Sequence, residues 1–121
     1  MKYDGIRAYL IKRNGEIKII NREGTNITDR IIELRNVDIP NDTILDGELV
    51  VFRNGKSIFN DIQKRVHNEN PFKVKLYAKN MPVTYMVFDI LMLKGELLTD
   101  KPIEYRKNAI IKHIKESEYL K

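Results

Sequence analysis

The chain contains no cysteine and no tryptophan. Without a thiol there is no disulfide, no thiolate metal site and no cysteine nucleophile, and such a composition suits a reducing compartment. Long apolar runs are missing too. The longest, YMVFDILML, is broken by Asp89 and is too short to cross a bilayer. The N-terminus lacks the basic, apolar and small-residue succession of a signal peptide. Four prolines and six glycines are too few and too scattered to mark a linker, and there is no repeat or low-complexity tract. The two histidines, His67 and His113, stand apart from any acidic cluster at ligand spacing, so they read as solvated or helix-surface residues. These absences lead us to expect one soluble, cytoplasmic domain.

What remains is 121 residues, 42% of them apolar, enough for one small core. Lysine and arginine number 22 against 17 acids, a net charge of +5 that favours polyanions such as nucleic acid or nucleotides without proving them.

Asn14-Gly15 joins the apolar-rich segments GIRAYLIKR and EIKIIN, and Asn-Gly between such runs predicts a tight hairpin because both residues tolerate positive φ. TDRIIELR, with Thr28 or Asp29 as a cap, predicts a short helix. TILDGELVVF predicts a strand that returns through Asn54-Gly55. Ser57 heads SIFNDIQKRV, where Ile58, Ile62 and Val66 recur at helical spacing. PVTYMVFDILML reads as a buried central strand. PIEYRKNAIIKHIKES reads as an amphipathic helix with Pro102 in its first turn and Ile103, Ile110, Ile111 and Ile114 along one side. Irregularly interleaved strands and helices predict an α+β fold with a mostly antiparallel sheet and flanking helices. Met86 and Met92 are assigned to its core.

Chemistry is concentrated in three places. KYDGIR puts a lysine, a glycine able to take positive φ and an arginine within six residues at the entry to a strand. A lysine there can act as a nitrogen nucleophile if cations and desolvation lower its pKa, and the arginine could supply that field and clamp phosphate or ribose. The bland alternative is a charged turn before an edge strand. Glu48 follows in LDGELVV and Phe88 in YMVFDIL. Taken singly, each has an ordinary structural reading: an acid beside a turn, a core ring.

In this order, KYDGIR, INREG, LDGELVV and YMVFDIL resemble the nucleotidyltransferase (adenylation) domain of ATP-dependent DNA ligases, a superfamily shared with RNA ligases and mRNA capping enzymes. SIFNDIQKRVH is similar to that family's F-x-x-(L/I)-Q-x-R stretch. PVTYMVFDILMLKGELLTDKPIEYRKNAI is similar to the bacterial and archaeal ligase D type.

The resemblance implies a partial nucleotidyltransferase (ATP-grasp-like ligase) fold over residues 1–121. It implies ATP and Mg²⁺ as cofactors and nicked double-stranded DNA as partner. Lys2 matches the lysine that attacks the α-phosphate and holds AMP as a phosphoramidate. Arg7 matches the arginine near the AMP ribose and phosphate, and Arg22 the one that engages phosphate on nucleotide or nick. Glu48 matches the acceptor from a ribose hydroxyl, and Phe88 the ring that stacks on adenine. Asp4 and Gly5 read as structural, Gly5 letting the backbone turn and Asp4 bonding nearby amides. Asp89 reads either as a metal ligand or as a hydrogen-bonded structural carboxylate. Lys12, Lys18, Lys73, Lys75 and Lys79 read as a solvated face, with contact to a DNA backbone as the sharper alternative.

After Phe88 the family carries two further elements, E-G-x-x-(V/I)-K and K-x-K; neither occurs between Phe88 and Lys121, and neither does the OB-fold domain. The expectation is therefore the central fragment of a DNA ligase, inactive or weak alone, with a second polypeptide as a candidate carrier of the missing motifs. An RNA ligase or capping-type nucleotidyltransferase and a non-catalytic nucleic-acid-binding remnant are the alternatives.

Overall fold

The computed structural model describes residues 3–121. Alternating side chains and tight turns build an antiparallel sheet whose long members are β1 (Ile6–Arg13), β2 (Glu16–Asn21), β3 (Thr43–Arg53) and β5 (Val83–Leu93). Two short strands, β4 (Lys56–Ser57) and β6 (Glu96–Leu97), return from the ends of β3 and β5. The order across the sheet is β2-β1-β3-β5-β6, with β4 beside β3. Asn14 and Gly15, like Asn54 and Gly55, have positive φ, so both predicted hairpin turns form. A third turn of the same kind, Lys94-Gly95, escaped the sequence reading because lysine occupies the place where asparagine is the usual signal.

Alternation sends Ala8, Leu10, Ile17, Ile19, Leu45, Leu49, Val51, Tyr85 and Ile90 into one core. Ile62 and Val66 of α1 (Phe59–His67) close over that face, as do Ile27, Ile31, Leu34 and Val37 from the segment after β2. That segment is not the short helix expected from TDRIIELR. It forms two separate 3₁₀ turns, Thr28–Arg30 and Ile32–Leu34. Ile31 between them has φ −121° and ψ 64°, outside the helical region. Thr28 does not cap a helix. Its hydroxyl accepts from the Ile19 amide at 2.9 Å, pinning the turn to β2. Two fully buried apolar residues three apart, Ile31 and Leu34, suit the three-residue repeat better than an α-helix.

Ser57 is also not a helix cap. It lies in β4, and its hydroxyl accepts from the Asp4 amide at 3.0 Å. The helix α2 (Pro71–Asn80) was not foreseen; Asn70 caps it by accepting from the Phe72 amide at 3.0 Å. α3 (Ile103–His113) begins after Pro102 and packs inward through Ala109, Ile110 and its C-cap residue Ile114, so two of the four residues on the predicted isoleucine side reach the core. Ile103 and Ile111 are exposed. β5 likewise differs from a strand buried on both faces. It lies next to the short edge strand, and Phe88 on it is 48% exposed.

Gly47 lets β5 cross β3 closely. A Cβ there would meet the Met86 carbonyl oxygen and stand 2.8 Å from Tyr85 Cζ. The Tyr85 hydroxyl lies 2.8 Å from the Ala8 carbonyl and 3.2 Å from that of Leu45. Burial pushes the phenol well above its ordinary range, and Asp46 raises it further. Below the ordinary value of 10.0 both folded and unfolded states keep this proton, so stability is insensitive to it. Above that value the unfolded chain ionises first and stability falls as pH rises, by up to about 1.4 kcal/mol per pH unit. Tyr85→Phe is expected to lose about 1 kcal/mol at neutral pH. The gap should then narrow in urea unfolding series run above the phenol's ordinary pKa. Parallel alkaline slopes in the two proteins would refute this assignment.

Candidate functional site

The face of the sheet opposite the core carries the motif residues. On β1, Arg7 alternates with buried Ala8; it pairs in register with Glu48 on β3, so both project from this open face. Glu48 pairs in turn with Met86 on β5. Two residues further along β5 the register slips, because Gly47 faces Val87 while Asp46 faces Asp89. Phe88 is the extra residue of that bulge. Without the slip, strict alternation would hold Phe88 and Asp89 to opposite faces; a bulge re-aims side chains in this way. The Phe88 ring lies beside Arg7, whose Cζ is 5.1 Å from the ring centroid. Gly5 brings the N-terminal segment across the same face. Its Cβ would stand 2.8 Å from Glu48 Cγ and 2.9 Å from Val50 Cγ2, and Tyr3 packs edge-on against Phe52.

Gly5 therefore serves close approach and not, as expected, a positive φ, since the positive-φ glycines are 15, 24, 55 and 95. Asp4 contributes its backbone amide to Ser57.

The residue that organises this face is Asp46, quoted within LDGELVV but not singled out from sequence. Its carboxylate is almost fully buried and accepts from Arg7 Nε at 3.2 Å and from the second Arg7 nitrogen at 2.6 Å. A bidentate, charge-assisted pair fixes the plane of the guanidinium. The hydrogen bond to Asp46, reinforced by its charge, raises the Arg7 pKa above an already high value, so Arg7 is cationic at any working pH. An acid inside an apolar strand was the available signal.

Asp46 stands across the ladder from Asp89, and two carboxylates so placed repel unless neutralised. Arg7 neutralises one. Arg106 of α3 neutralises the other, donating from Nε to Asp89 Oδ1 at 2.8 Å, with a second bond of 2.6 Å to the Lys101 carbonyl. Asp89 also accepts from the Ile90 amide at 2.8 Å. These bonds are those its structural reading expects. Arg106 was not foreseen; nothing in its local sequence distinguishes it.

Arg7, Glu48 and Phe88 thus share one face. Arg22 lies in the turn after β2, where the β1–β2 register carried one residue further places it beside Arg7; it is exposed and enters no ion pair among the described residues. Lys2 lies outside the described residues. Among those described, no three His, Asp or Glu side chains converge as a metal cage, and no helix is long and apolar enough to cross a membrane.

Residues 1–120 match the family model described as "ATP dependent DNA ligase domain". The chain is 36% identical over 108 residues to a probable DNA ligase of Koribacter versatilis, covering 87% of this chain and 18% of that protein. It is 34% identical to the SPbeta prophage-derived DNA ligase-like protein LigB of Bacillus subtilis, covering 91% of this chain and 38% of that one. With DNA ligase 1 of Methanosarcina barkeri it shares 33% identity, over 98% of this chain and 24% of the relative. The chain therefore spans well under half the length of these relatives. Among solved structures, mycobacterial DNA ligase D complexed with ATP and MES superposes with a TM-score of 0.70 at 22% identity, over 92% of this chain and 34% of that one. The ligase domain of M. tuberculosis LigD gives 0.69. These two likenesses show the same nucleotidyltransferase fold.

Proposed function

Because this chain belongs to the ATP-dependent DNA ligase domain family, we propose that its open sheet face is the adenylate side of a nucleotidyl-transfer site in a nick-sealing DNA ligase. The chain forms a partial adenylation domain in this reading, and the observation that carries it is the convergence of Arg7, Glu48 and Phe88 on one face, Phe88 standing two residues beyond Met86, the ladder partner of Glu48.

Arg7 covers one side of the Phe88 ring, and the half-exposed remainder offers a face for adenine. Glu48 accepts from a ribose hydroxyl, and Arg7, clamped by Asp46, presents a fixed positive charge to ribose and phosphate. Arg22 meets phosphate on the nucleotide or at the nick. Lys2 attacks the α-phosphorus: a P–N bond forms, the P–O bond to pyrophosphate breaks, and the lysine gives up a proton. The AMP then passes to the 5′-phosphate of nicked duplex DNA, and the 3′-hydroxyl displaces it. Mg²⁺ would neutralise the phosphates, held by their own oxygens, since the described residues offer no cage and Asp46 and Asp89 are already paired with arginines. Segments carrying E-G-x-x-(V/I)-K and K-x-K elements, on this or on a second polypeptide, would complete the site.

Titration with a fluorescent ATP analogue tests the reading. Base stacking contributes about 1–3 kcal/mol, so Phe88→Ala is expected to weaken binding roughly 5- to 150-fold. Nucleotide affinity indifferent to Phe88→Ala would remove the adenine seat from this face.

A further inference from the structure

The helix α2 shows a surface unlike an ordinary solvated one. Val74 is its buried residue and packs toward the 3₁₀ turns, with Tyr77 and Ala78 half-buried on the same side. At about 100° per residue, Phe72 and Leu76 fall on the opposite, outermost ridge. Phe72 is 84% exposed and Leu76 50%. Lys75 and Lys79 run along one flank of this ridge and Lys73 along the other, all exposed. The helix contains no acidic residue. Asn70 and Pro71 hold its first turn, so the ridge is presented on a capped element and not on a loop.

We propose that this ridge is a docking surface for duplex DNA, with Phe72 and Leu76 laid against the sugar edges of the minor groove and the three lysines on the phosphates either side. Charge complementarity selects the occupant: three cations without an ion-pair partner among the described residues flank an apolar wedge, the combination with which minor-groove proteins combine phosphate neutralisation and apolar insertion. The chain's net charge of +5 has the same sign. This inference rests on the DNA-ligase reading for its choice of polyanion. α2 belongs to the layer covering the core face, so it is separated by the sheet from Arg7 and Phe88. It would add affinity for the duplex and leave nucleotide binding alone.

The test is fluorescence anisotropy of the purified 121-residue chain with a labelled nicked duplex across a salt series. Each lysine–phosphate contact adds about 0.9 to the slope of log K against log salt, so Lys73→Gln/Lys75→Gln/Lys79→Gln is expected to lower the slope by about 2.7 and the affinity at least roughly tenfold. Phe72→Ala/Leu76→Ala should weaken binding with the slope unchanged. A charge-matched control, Lys56→Gln/Lys107→Gln/Lys115→Gln, should have a much smaller effect. Equal losses in the control and α2 triple variants would reduce the result to net charge and overturn the proposal. So would a wild-type chain that ignores DNA, or one whose α2 lysines are needed only for phosphatidylserine-containing vesicles. Titration of the ATP analogue, run in parallel, keeps the outcomes apart. Nucleotide binding sensitive to Phe88→Ala with no α2 effect on DNA sinks this surface alone, whereas loss of both sinks the ligase reading.

Discussion

Arg65→Ala is expected to cost about 3–5 kcal/mol of folding stability, a large share of the roughly 5–15 kcal/mol that holds a domain together. The Arg65 guanidinium is completely buried. It donates to both oxygens of Glu33, at 2.5 and 2.7 Å, and to the carbonyls of Met81 at 2.6 Å and Arg30 at 3.2 Å. Glu33 accepts as well from the Val83 amide at 2.7 Å. One buried ion pair thus ties α1, the second 3₁₀ turn and the start of β5 together. Alanine would remove the cation and strand the Glu33 carboxylate in the core, which costs more than the pair itself contributes. The paired replacement Arg65→Met/Glu33→Gln should therefore be less damaging than Arg65→Ala alone. Urea unfolding of the three proteins measures this, and a loss below about 1 kcal/mol for Arg65→Ala would contradict a buried, uncompensated Glu33. The buried Arg65 Nε has no hydrogen-bond partner among the described residues, so the network is not fully satisfied.

The second large effect is expected at Lys2. With ATP and Mg²⁺ the 121-residue chain alone should accumulate little lysyl-AMP. An ordinary lysine has a pKa of about 10.4 and is almost wholly protonated at neutral pH, so it needs a shaped, cationic pocket to become a nucleophile. Arg7 supplies one fixed charge, while no K-x-K follows Phe88 within these 121 residues. Loss of a single charge-stabilising donor typically costs roughly 100- to 1,000-fold in such transfers. Adding a polypeptide that carries the two missing family elements should allow the adduct, and Lys2→Ala should abolish it. Intact-mass measurement reads all three states. Rapid stoichiometric adduct on the chain alone would refute the claimed incapacity, and adduct surviving Lys2→Ala would remove Lys2 from the nucleophile's role.

Much of the candidate site was legible because its chemistry is carried by residue types that are costly elsewhere. An arginine beside a glycine at a strand entry and an acid inside an apolar strand both stand out against the alternation around them. Asp46 satisfied that criterion as well as Glu48 did, yet its role needed its partner, Arg7, 39 residues away. Arg106 gave no local sign at all, because its function is to neutralise a carboxylate on another element. Arg65 falls within the stretch similar to F-x-x-(L/I)-Q-x-R, but its burial follows from the placement of Glu33.

Local chemistry in the chain itself determined the hairpins at Asn14-Gly15 and Asn54-Gly55, the strand alternation, α1 and the α+β class, since φ preference and apolar periodicity act within a few residues. Tertiary structure alone decided the rest. Whether TDRIIELR coiled as an α-helix or as two 3₁₀ turns depended on Thr28 finding the Ile19 amide and on two isoleucine- and leucine-filled core positions three residues apart. Whether Asp89 joined Phe88 on the open face or turned toward the core depended on a register slip against Asp46 and Gly47, because in a strand a one-residue shift sends every following side chain to the other face.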